Sequence, residues 1–348
     1  MRHRHFASVF MALALAACAD AGPSEPESSL SPFAEDYLNR ALDIMEAASI
    51  KRYEIDWPTF GEAALVDAMG AQSPAETHAA IVAALERLGD NHSFFVAPGG
   101  QPQLLGSRSV AGSASDGAAS EPAAVDPSVD LVVPGVGYLD VPAFSGGGPE
   151  GDLLAQSYHQ LIESVDTLAA VCHWVVDIRG NTGGNMWPMI DGVGPLLGDT
   201  AIGFFIDPDS VVNSWFYSGG LAGFDDVVVA EIPTPYTLGV DLPFVAVLTD
   251  SLTASSGEAV AVAFRGRPGT RSFGAPTWGV STANAGFQLN DGAVIFLTVT
   301  TMADREGTMY GLEVVPDELV PGGTKTGDPA TDEVLAAALQ WLSTQPCV

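Results

Sequence analysis

The chain has 348 residues and a mass of 36.0 kDa, which allows more than one domain, and 47% of its residues are apolar, enough for a large core. It carries 43 acidic and 13 basic residues, a formal net charge of -30, and therefore lacks the basic surface that nucleic-acid binding requires. We attribute the acidity to solubility or to a salty environment rather than to an acidic ligand site.

The N-terminus has the features of a bacterial export signal. Two arginines precede an apolar run, residues 6–17, that is too short to span a bilayer. The run ends in Leu-Ala-Ala-Cys18, which resembles a lipobox; an ordinary signal peptide that happens to contain a cysteine is the alternative. We therefore expect a signal peptide at 1–17, lipidation of Cys18, a tether at 18–31, and an exported, periplasm-facing lipoprotein in the cell envelope.

The next segment, residues 32–96, predicts a small N-terminal helical bundle. Apolar residues recur at helical spacing, and helix starts at Asp56 and Ser73 divide the segment into three helices. Residues 97–129 are mainly Gly, Ser, Ala and Pro and predict a linker. This linker is too short and too polar for an inserted peptide-binding domain of the PDZ type.

Residues 130–348 alternate strand and helix signals. Continuous valine-rich runs at 174–178 and 245–248 are typical of central strands buried on both faces. Further strands are predicted at 136–141 and 294–299, and helices at 153–168 and 332–342. The segment therefore predicts one α/β domain with a mixed sheet.

Two cysteines remain after the signal, Cys172 and Cys347. Export permits a disulfide between them, but the sequence does not give their separation, and a buried free Cys172 is equally compatible. Neither has a metal-ligand partner at standard spacing, so we expect no zinc site, and we expect no cofactor.

The segment around Ser255 is the most informative one for function. A buried strand at 244–250 leads through a turn of small residues into an apolar helix that continues to residue 264. Ser255 lies at the first turn of this helix, where backbone N–H groups are free and the helix dipole is positive. Those N–H groups are placed to receive the oxyanion that forms when a hydroxyl attacks a carbonyl. The simpler interpretation is that Ser255 only caps the helix.

Three other segments carry suitable polar groups. In DIRGNTGG, residues 177–184, paired glycines let a substrate approach the backbone; a plain turn with an Asp177–Arg179 ion pair is the alternative. His92 lies in a polar turn after a helix, and histidine is the natural general base near neutral pH. Glu313 follows a strand, and its carboxylate can orient a histidine.

These segments together resemble the tail-specific, or C-terminal processing, family of serine peptidases. The matching motifs, in chain order, are DNHS (90–93), DIRGNTGG (177–184), TASSGE (253–258) and EVVPD (313–317). The resemblance covers residues 33–320. It implies a crotonase-like fold, with ββα turns around a mixed sheet, and a hydrolase that acts on a peptide or protein substrate.

The resemblance also assigns roles to residues. Ser255 is implied as the nucleophile, with an oxyanion hole formed by the backbone N–H of Ser256 and that of Gly183 or Gly184. Bacterial processing proteases use a downstream lysine as the base, and Val280 stands at that position here. Because no lysine occurs between residues 52 and 324, a Ser–Lys dyad is excluded.

The chain is closer to the branch that contains the tricorn protease core and the retinoid-binding modules of the eye. In that branch a histidine from the helical region is the base, which implies His92, with Glu313, or Glu306 as a substitute, to orient it. With such a base, activity is expected to fall below about pH 6.5. The alternative function is a catalytically weak or inactive module that binds apolar ligands, as the eye modules do. An acyl-CoA enzyme is disfavoured because an exported protein meets little CoA.

Overall fold

The computed structural model describes residues 29–100, 127–167 and 171–347. The predicted signal peptide, Cys18, and most of the predicted tether and linker lie outside these ranges. None of the helices in the described ranges is long and apolar enough to cross a membrane.

Three helices come first. They are α1 (Pro32–Ala48), α2 (Trp57–Asp67) and α3 (Pro74–Leu88). Each has a proline in its first turn, where the missing N–H costs no helical hydrogen bond. Their apolar faces share one core with residues of three later strands, including Phe95, Phe287 and Ile295. The third helix ends at Gly89, whose φ of 70° suits glycine, and the chain then turns into the 90–93 segment.

The first of two sheets has seven strands, and all its pairings are antiparallel. Its strands are β1 (Phe94–Val96), β5 (Thr200–Ile206), β6 (Val212–Ser218), β7 (Leu221–Phe224), β8 (Val227–Glu231), β11 (Thr282–Gln288) and β12 (Val294–Asp304). The order is β1-β12-β5-β6-β7-β8, and β11 also pairs with β12. This pairing brings the chain after the 90–93 segment onto the β11–β12 hairpin.

The second sheet has six strands in the order β13-β10-β9-β4-β3-β2. They are β2 (Ser128–Val133), β3 (Val136–Asp140), β4 (His173–Asp177), β9 (Phe244–Thr249), β10 (Thr270–Gly274) and β13 (Glu318–Leu319). All neighbours run parallel except β2, which is antiparallel to β3. The two valine-rich runs form the central strands β4 and β9, so the carboxyl ends of these strands lie side by side.

Helices cover both faces of the second sheet. They are α4 (Pro149–Asp166), α5 (Met186–Gly192), α6 (Gly194–Leu197), α7 (Ser256–Phe264) and α8 (Glu333–Leu342). The large core lies between α4, α5, α7 and the two sheets, and a second core forms where α8 packs on the opposite face. The described part of the chain is thus an α/β structure with mixed strand directions, as the sequence predicts.

Several features differ from, or add to, the sequence analysis. Strand β1 lies within the segment predicted as a helical bundle, and β2 begins at Ser128, within the predicted linker. The antiparallel strands β5–β8, residues 200–231, were not identified from the sequence. Cys172 and Cys347 form a disulfide with a Cα–Cα distance of 5.2 Å, which selects one of the two alternatives left open. The bond fixes the segment after α8 to the start of β4.

Candidate active site

Ser255 occupies a strained corner between β9 and α7. Its φ of 51° and ψ of -113° are uncommon for a residue with a side chain, and such conformations concentrate at functional sites. The corner is held on both sides. The N–H of Ser255 donates to Glu258 Oε2 at 2.8 Å, and the N–H of Ala254 donates to the carbonyl of Asn181 at 2.9 Å. These two hydrogen bonds hold Ser255 in its strained backbone conformation.

Glu258 organises the residues around this corner. Its fully buried carboxylate also accepts hydrogen bonds from Thr277 Oγ1 at 2.6 Å and from the N–H groups of Gly279 and Val280, each at 3.0 Å. Burial raises the pKa of this carboxyl group, whereas the four donors favour its ionised form. Glu258 is thus a structural support that ties the 277–280 loop to the serine.

His92 reaches the serine from the segment between α3 and β1. Its Nε2 lies 3.0 Å from Ser255 Oγ, although the two residues are 163 positions apart. The residue is 5% exposed, and its Nδ1 lies 2.7 Å from Thr282 Oγ1 at the start of β11. Two further bonds hold the histidine backbone, one to Asp90 Oδ1 and one from Asn284 Nδ2, both at 2.9 Å. The ring is therefore held by two hydrogen bonds and the backbone that carries it by two more.

The environment keeps this histidine neutral. Burial lowers the pKa of His92 to about 4, and the nearby Asp90 carboxylate opposes only part of that effect. We assign the tautomer in which Nδ1–H donates to Thr282 Oγ1, because it leaves the Nε2 lone pair to accept the hydrogen of Ser255. A neutral imidazole in this tautomer can act as a general base for the serine.

The structure does not bring Glu313 or Glu306 to His92. Both glutamates are exposed, and Thr282 occupies the Nδ1 side of the ring. Glu313 lies beside Gly279, where an added Cβ would meet its Cδ at 3.3 Å, and Glu306 lies beside Gly266. Sequence analysis missed Thr282 because it searched for a carboxylate, and a threonine at the start of a strand carries no distinguishing signal.

The glycine turn lies directly against Ser255. A Cβ added to Gly183 would lie 2.9 Å from Ser255 Cβ, and one added to Gly184 would lie 2.1 Å from the carbonyl oxygen of Phe144, so neither position admits a side chain. Ser256 Oγ donates to the Gly184 carbonyl at 2.7 Å, which joins the turn to the start of α7.

Of the three predicted oxyanion donors, two have an available N–H. The Gly183 N–H donates to Asn181 Oδ1 at 2.9 Å and is therefore occupied. Neither the Gly184 N–H nor the Ser256 N–H has an acceptor within the described ranges. The two N–H groups available to an oxyanion are thus those of Gly184 and Ser256. They lie on the glycine turn and at the start of α7, which the Ser256 side chain joins by its hydrogen bond.

A buried ion cluster fixes the other end of the glycine turn. Arg179 pairs with Asp177 at 2.6 Å and, through both terminal nitrogens, with Asp332 at 2.7 and 2.8 Å. All three side chains are buried, and Asp332 caps α8. The ion pair considered in the sequence analysis is therefore present, and it anchors the strand end from which the glycine turn begins.

Comparison with known proteins gives the family of the chain. Residues 135–320 match the family model described as Peptidase family S41. The nisin-resistance protein of Lactococcus lactis subsp. lactis is 25% identical over 323 residues, which cover 90% of this chain and 88% of that protein.

Two solved structures have the same fold. A lipoprotein from Streptococcus agalactiae superposes with a TM-score of 0.69 at 21% identity, covering 90% of this chain and 98% of that one. The photosystem II D1 C-terminal processing protease gives a TM-score of 0.55 at 16% identity, covering 84% and 94%. Since the family model matches more than half of the 348 residues, the chain belongs to peptidase family S41.

Proposed function

We propose that this protein is an exported serine endopeptidase in which Ser255 is the nucleophile and His92 is the general base. The observation that carries the proposal is the 3.0 Å distance between His92 Nε2 and Ser255 Oγ, which is hydrogen-bond distance for direct proton transfer. Membership of a serine peptidase family supports the same reaction class.

The reaction follows from the positions of these groups. Ser255 Oγ attacks the carbonyl carbon of a peptide bond while its proton moves to His92 Nε2. The N–H groups of Gly184 and Ser256 stabilise the negative oxygen of the tetrahedral intermediate, and losing one such donor typically costs about 3 kcal/mol. His92 then gives the proton to the leaving amine, and water releases the acyl group from the serine by the same steps.

Thr282 is a positioning residue in this proposal. In the assigned tautomer its hydroxyl accepts the Nδ1–H hydrogen bond of His92, and it keeps that role when the ring becomes imidazolium and Nδ1 must donate. Because a hydroxyl is neutral, it stabilises the imidazolium less than a carboxylate does. We therefore expect slower turnover than in an enzyme with a complete Ser-His-Asp triad.

The finer features of fold and substrate also belong to this proposal. The mixed second sheet, with helices on both faces, supports a crotonase-like core at 130–348 that follows a helical bundle at 32–96. The fold similarity to a C-terminal processing protease supports cleavage near substrate C-termini, which is the tail-specific activity.

Two observations support an envelope location. The Cys172–Cys347 disulfide is typical of proteins in an oxidising compartment. A structure of the same fold is described as a lipoprotein, in agreement with lipidation of Cys18. Membrane fractionation of wild type and of Cys18→Ser tests the anchor: the variant should be released, and an equal membrane fraction would contradict lipidation.

The test of the activity is covalent labelling with a fluorophosphonate probe on purified protein. The wild type should label, and Ser255→Ala should not. Ser251→Ala is the matched control, because Ser251 is an exposed serine in the same turn and should not affect labelling. Labelling that persists in Ser255→Ala refutes the nucleophile. Absence of labelling in the wild type, with an apolar ligand that co-purifies, would favour the ligand-binding alternative.

A further inference from the structure

Strand β8 forms an edge of the first sheet, and its outer surface is apolar. It pairs with β7 on one side, and no strand of the described ranges pairs with its other side. Ala230 belongs to the large core, whereas Val227, Val228 and Val229 are 49%, 47% and 40% exposed. The strand at the opposite end of the sheet, β1, contacts α3. β8 is therefore an open edge lined by exposed valines.

The backbone of this edge is only partly protected. An edge strand presents unpaired N–H and C=O groups to which another strand can add, and lysine, proline or a covering element usually prevents this. β8 contains neither lysine nor proline. Two features shorten the free stretch: the register shifts at Val229, and the N–H of Glu231 donates to Asp152 Oδ1 on α4 at 3.3 Å. The open backbone around Val228 thus suits a short extended segment rather than a long strand.

The charged side chains at both ends of β8 are negative. Asp225 and Asp226 form the turn from β7, and Glu231 ends the strand beside Asp152. None of these four carboxylates forms an ion pair with a described residue. From α5 to the end of α7 the chain contains no Lys, Arg or His that could neutralise them. Burial, and then the charges of Asp152 and Glu231, raise the pKa of Asp191 to about 7, as expected for carboxylates that no cation compensates.

These charges disfavour pairing between two copies of this chain. In an antiparallel pair of two β8 strands, Asp226 of each copy would lie near Glu231 of the other. Like charges placed opposite each other across two strands are destabilising. A segment with basic ends would instead place opposite charges there, and its apolar side chains would cover the valines.

We propose that β8 is an interaction surface for an extended segment of another protein, with apolar residues in its centre and lysine or arginine at its ends. The segment adds to the first sheet as a further strand. Backbone hydrogen bonds at Val228 contribute affinity, while the valines and the carboxylates of Asp226 and Glu231 select the sequence. The proposal does not depend on peptidase activity at Ser255.

The test is hydrogen–deuterium exchange mass spectrometry on the full chain carrying Ser255→Ala, which keeps added peptide intact. The probe is acetyl-Lys-Val-Thr-Val-Thr-Val-Lys-amide, and the matched control is acetyl-Glu-Val-Thr-Val-Thr-Val-Glu-amide. At about 1 mM the basic peptide should slow exchange of the amides in residues 225–231, and it should bind about tenfold more tightly than the acidic one. Unchanged exchange at β8, or equal protection by both peptides, overturns the proposal.

Two other patterns of exchange would also overturn it. Protection only at residues 90–93 and 251–258 would show that the peptide binds at the candidate active site, which leaves the proposed peptidase function intact. Slow exchange at β8 without peptide, together with a dimeric mass in sedimentation, would show that a second copy of this chain occupies the edge. Failure of the peptidase proposal is detected separately, by the fluorophosphonate probe.

Charge reversal locates the site. Asp226→Lys combined with Glu231→Lys should reverse the preference, so that the acidic peptide binds about tenfold more tightly than the basic one. Both residues are exposed, and Val228→Lys, which should weaken the basic peptide about tenfold, decides the question if the double variant does not fold. Glu46→Lys is the control, because Glu46 is exposed on α1, which packs against β12, and it should change binding by less than about twofold. Unchanged preference in the folded double variant refutes the assignment.

Discussion

Replacing Thr282 by valine tests the role of the side chain that lies within hydrogen-bond distance of His92 Nδ1. Valine has almost the same shape, so the substitution removes the hydroxyl and leaves the packing. The 2.7 Å contact to Nδ1 is lost, and the buried N–H of the imidazole then has no acceptor. The imidazolium that forms during the reaction loses the acceptor for its Nδ1–H.

The expected size of the effect follows from the change of charge during the reaction. In the resting enzyme the histidine is neutral, and a neutral hydrogen bond contributes about 0.5–1.5 kcal/mol. In the transition state the ring becomes imidazolium, and a hydrogen bond from a charged donor contributes about 1.5–3 kcal/mol. Only the difference, about 1–1.5 kcal/mol, slows the reaction. Thr282→Val should therefore lower the rate constant by about 5- to 13-fold.

The assay is the second-order rate constant for labelling by a fluorophosphonate probe, with folding checked by thermal unfolding. Thr300→Val is the matched control. Thr300 lies on the neighbouring strand β12, and its buried Oγ1 has no hydrogen-bond partner among the described residues, so its loss should leave the rate unchanged. Thr282→Val labelling at the wild-type rate, or equal slowing in both variants, would refute the proposed role of the Thr282 hydroxyl.

Three further predictions concern pH and stability. Because burial lowers the pKa of His92 to about 4, kcat/KM should stay level down to about pH 5 and be halved near pH 4. Half-loss near pH 6.5 would contradict a buried imidazole. Asp191 is fully buried, neither carboxylate oxygen has a partner in the described ranges, and burial raises its pKa to about 7. The pKa of Asp191 in the folded state lies above its value in the unfolded state, so the folded protein loses stability as the pH rises from the unfolded to the folded pKa. Asp191→Asn should therefore be more stable to urea than the wild type at about pH 8, by up to about 4 kcal/mol, but not at about pH 3. A stability difference between Asp191→Asn and the wild type that does not vary with pH would contradict this prediction. Cys347→Ser removes the disulfide and should lower the free energy of unfolding by about 2–5 kcal/mol in the same assay, whereas unchanged stability would show that the bond constrains little.

The revised pH profile shows how burial changes a conclusion drawn from sequence. A histidine in a polar turn is expected to titrate near 6.5, and the DNHS segment gives no reason to expect otherwise. In the folded protein the start of α7 and the start of β11 enclose the same ring, and both lie more than 160 residues away from it along the chain. Desolvation by those distant elements sets its pKa, so the value depends on the fold.

Elements with strong local signals were predicted well. The central strands appear at His173–Asp177 and Phe244–Thr249, and the closing helix at Glu333–Leu342, each within a few residues of its predicted bounds. The meander at 200–231 was missed, because its strands are half-exposed and their burial does not alternate regularly. These strands are defined by pairing with neighbours, which a local pattern does not contain.

The sequence by itself determined where strands, turns and helices occur along the chain. The buried strand, the tight corner at Ser255 and the apolar helix follow from residue size, polarity and spacing. Tertiary structure decided which side chains meet. It placed His92 on Ser255, assigned Thr282 rather than Glu313 to the far side of the ring, and paired Cys172 with Cys347. The physical reason is that turns and periodic burial depend on neighbours along the chain, whereas hydrogen bonds between distant residues depend on how whole elements pack.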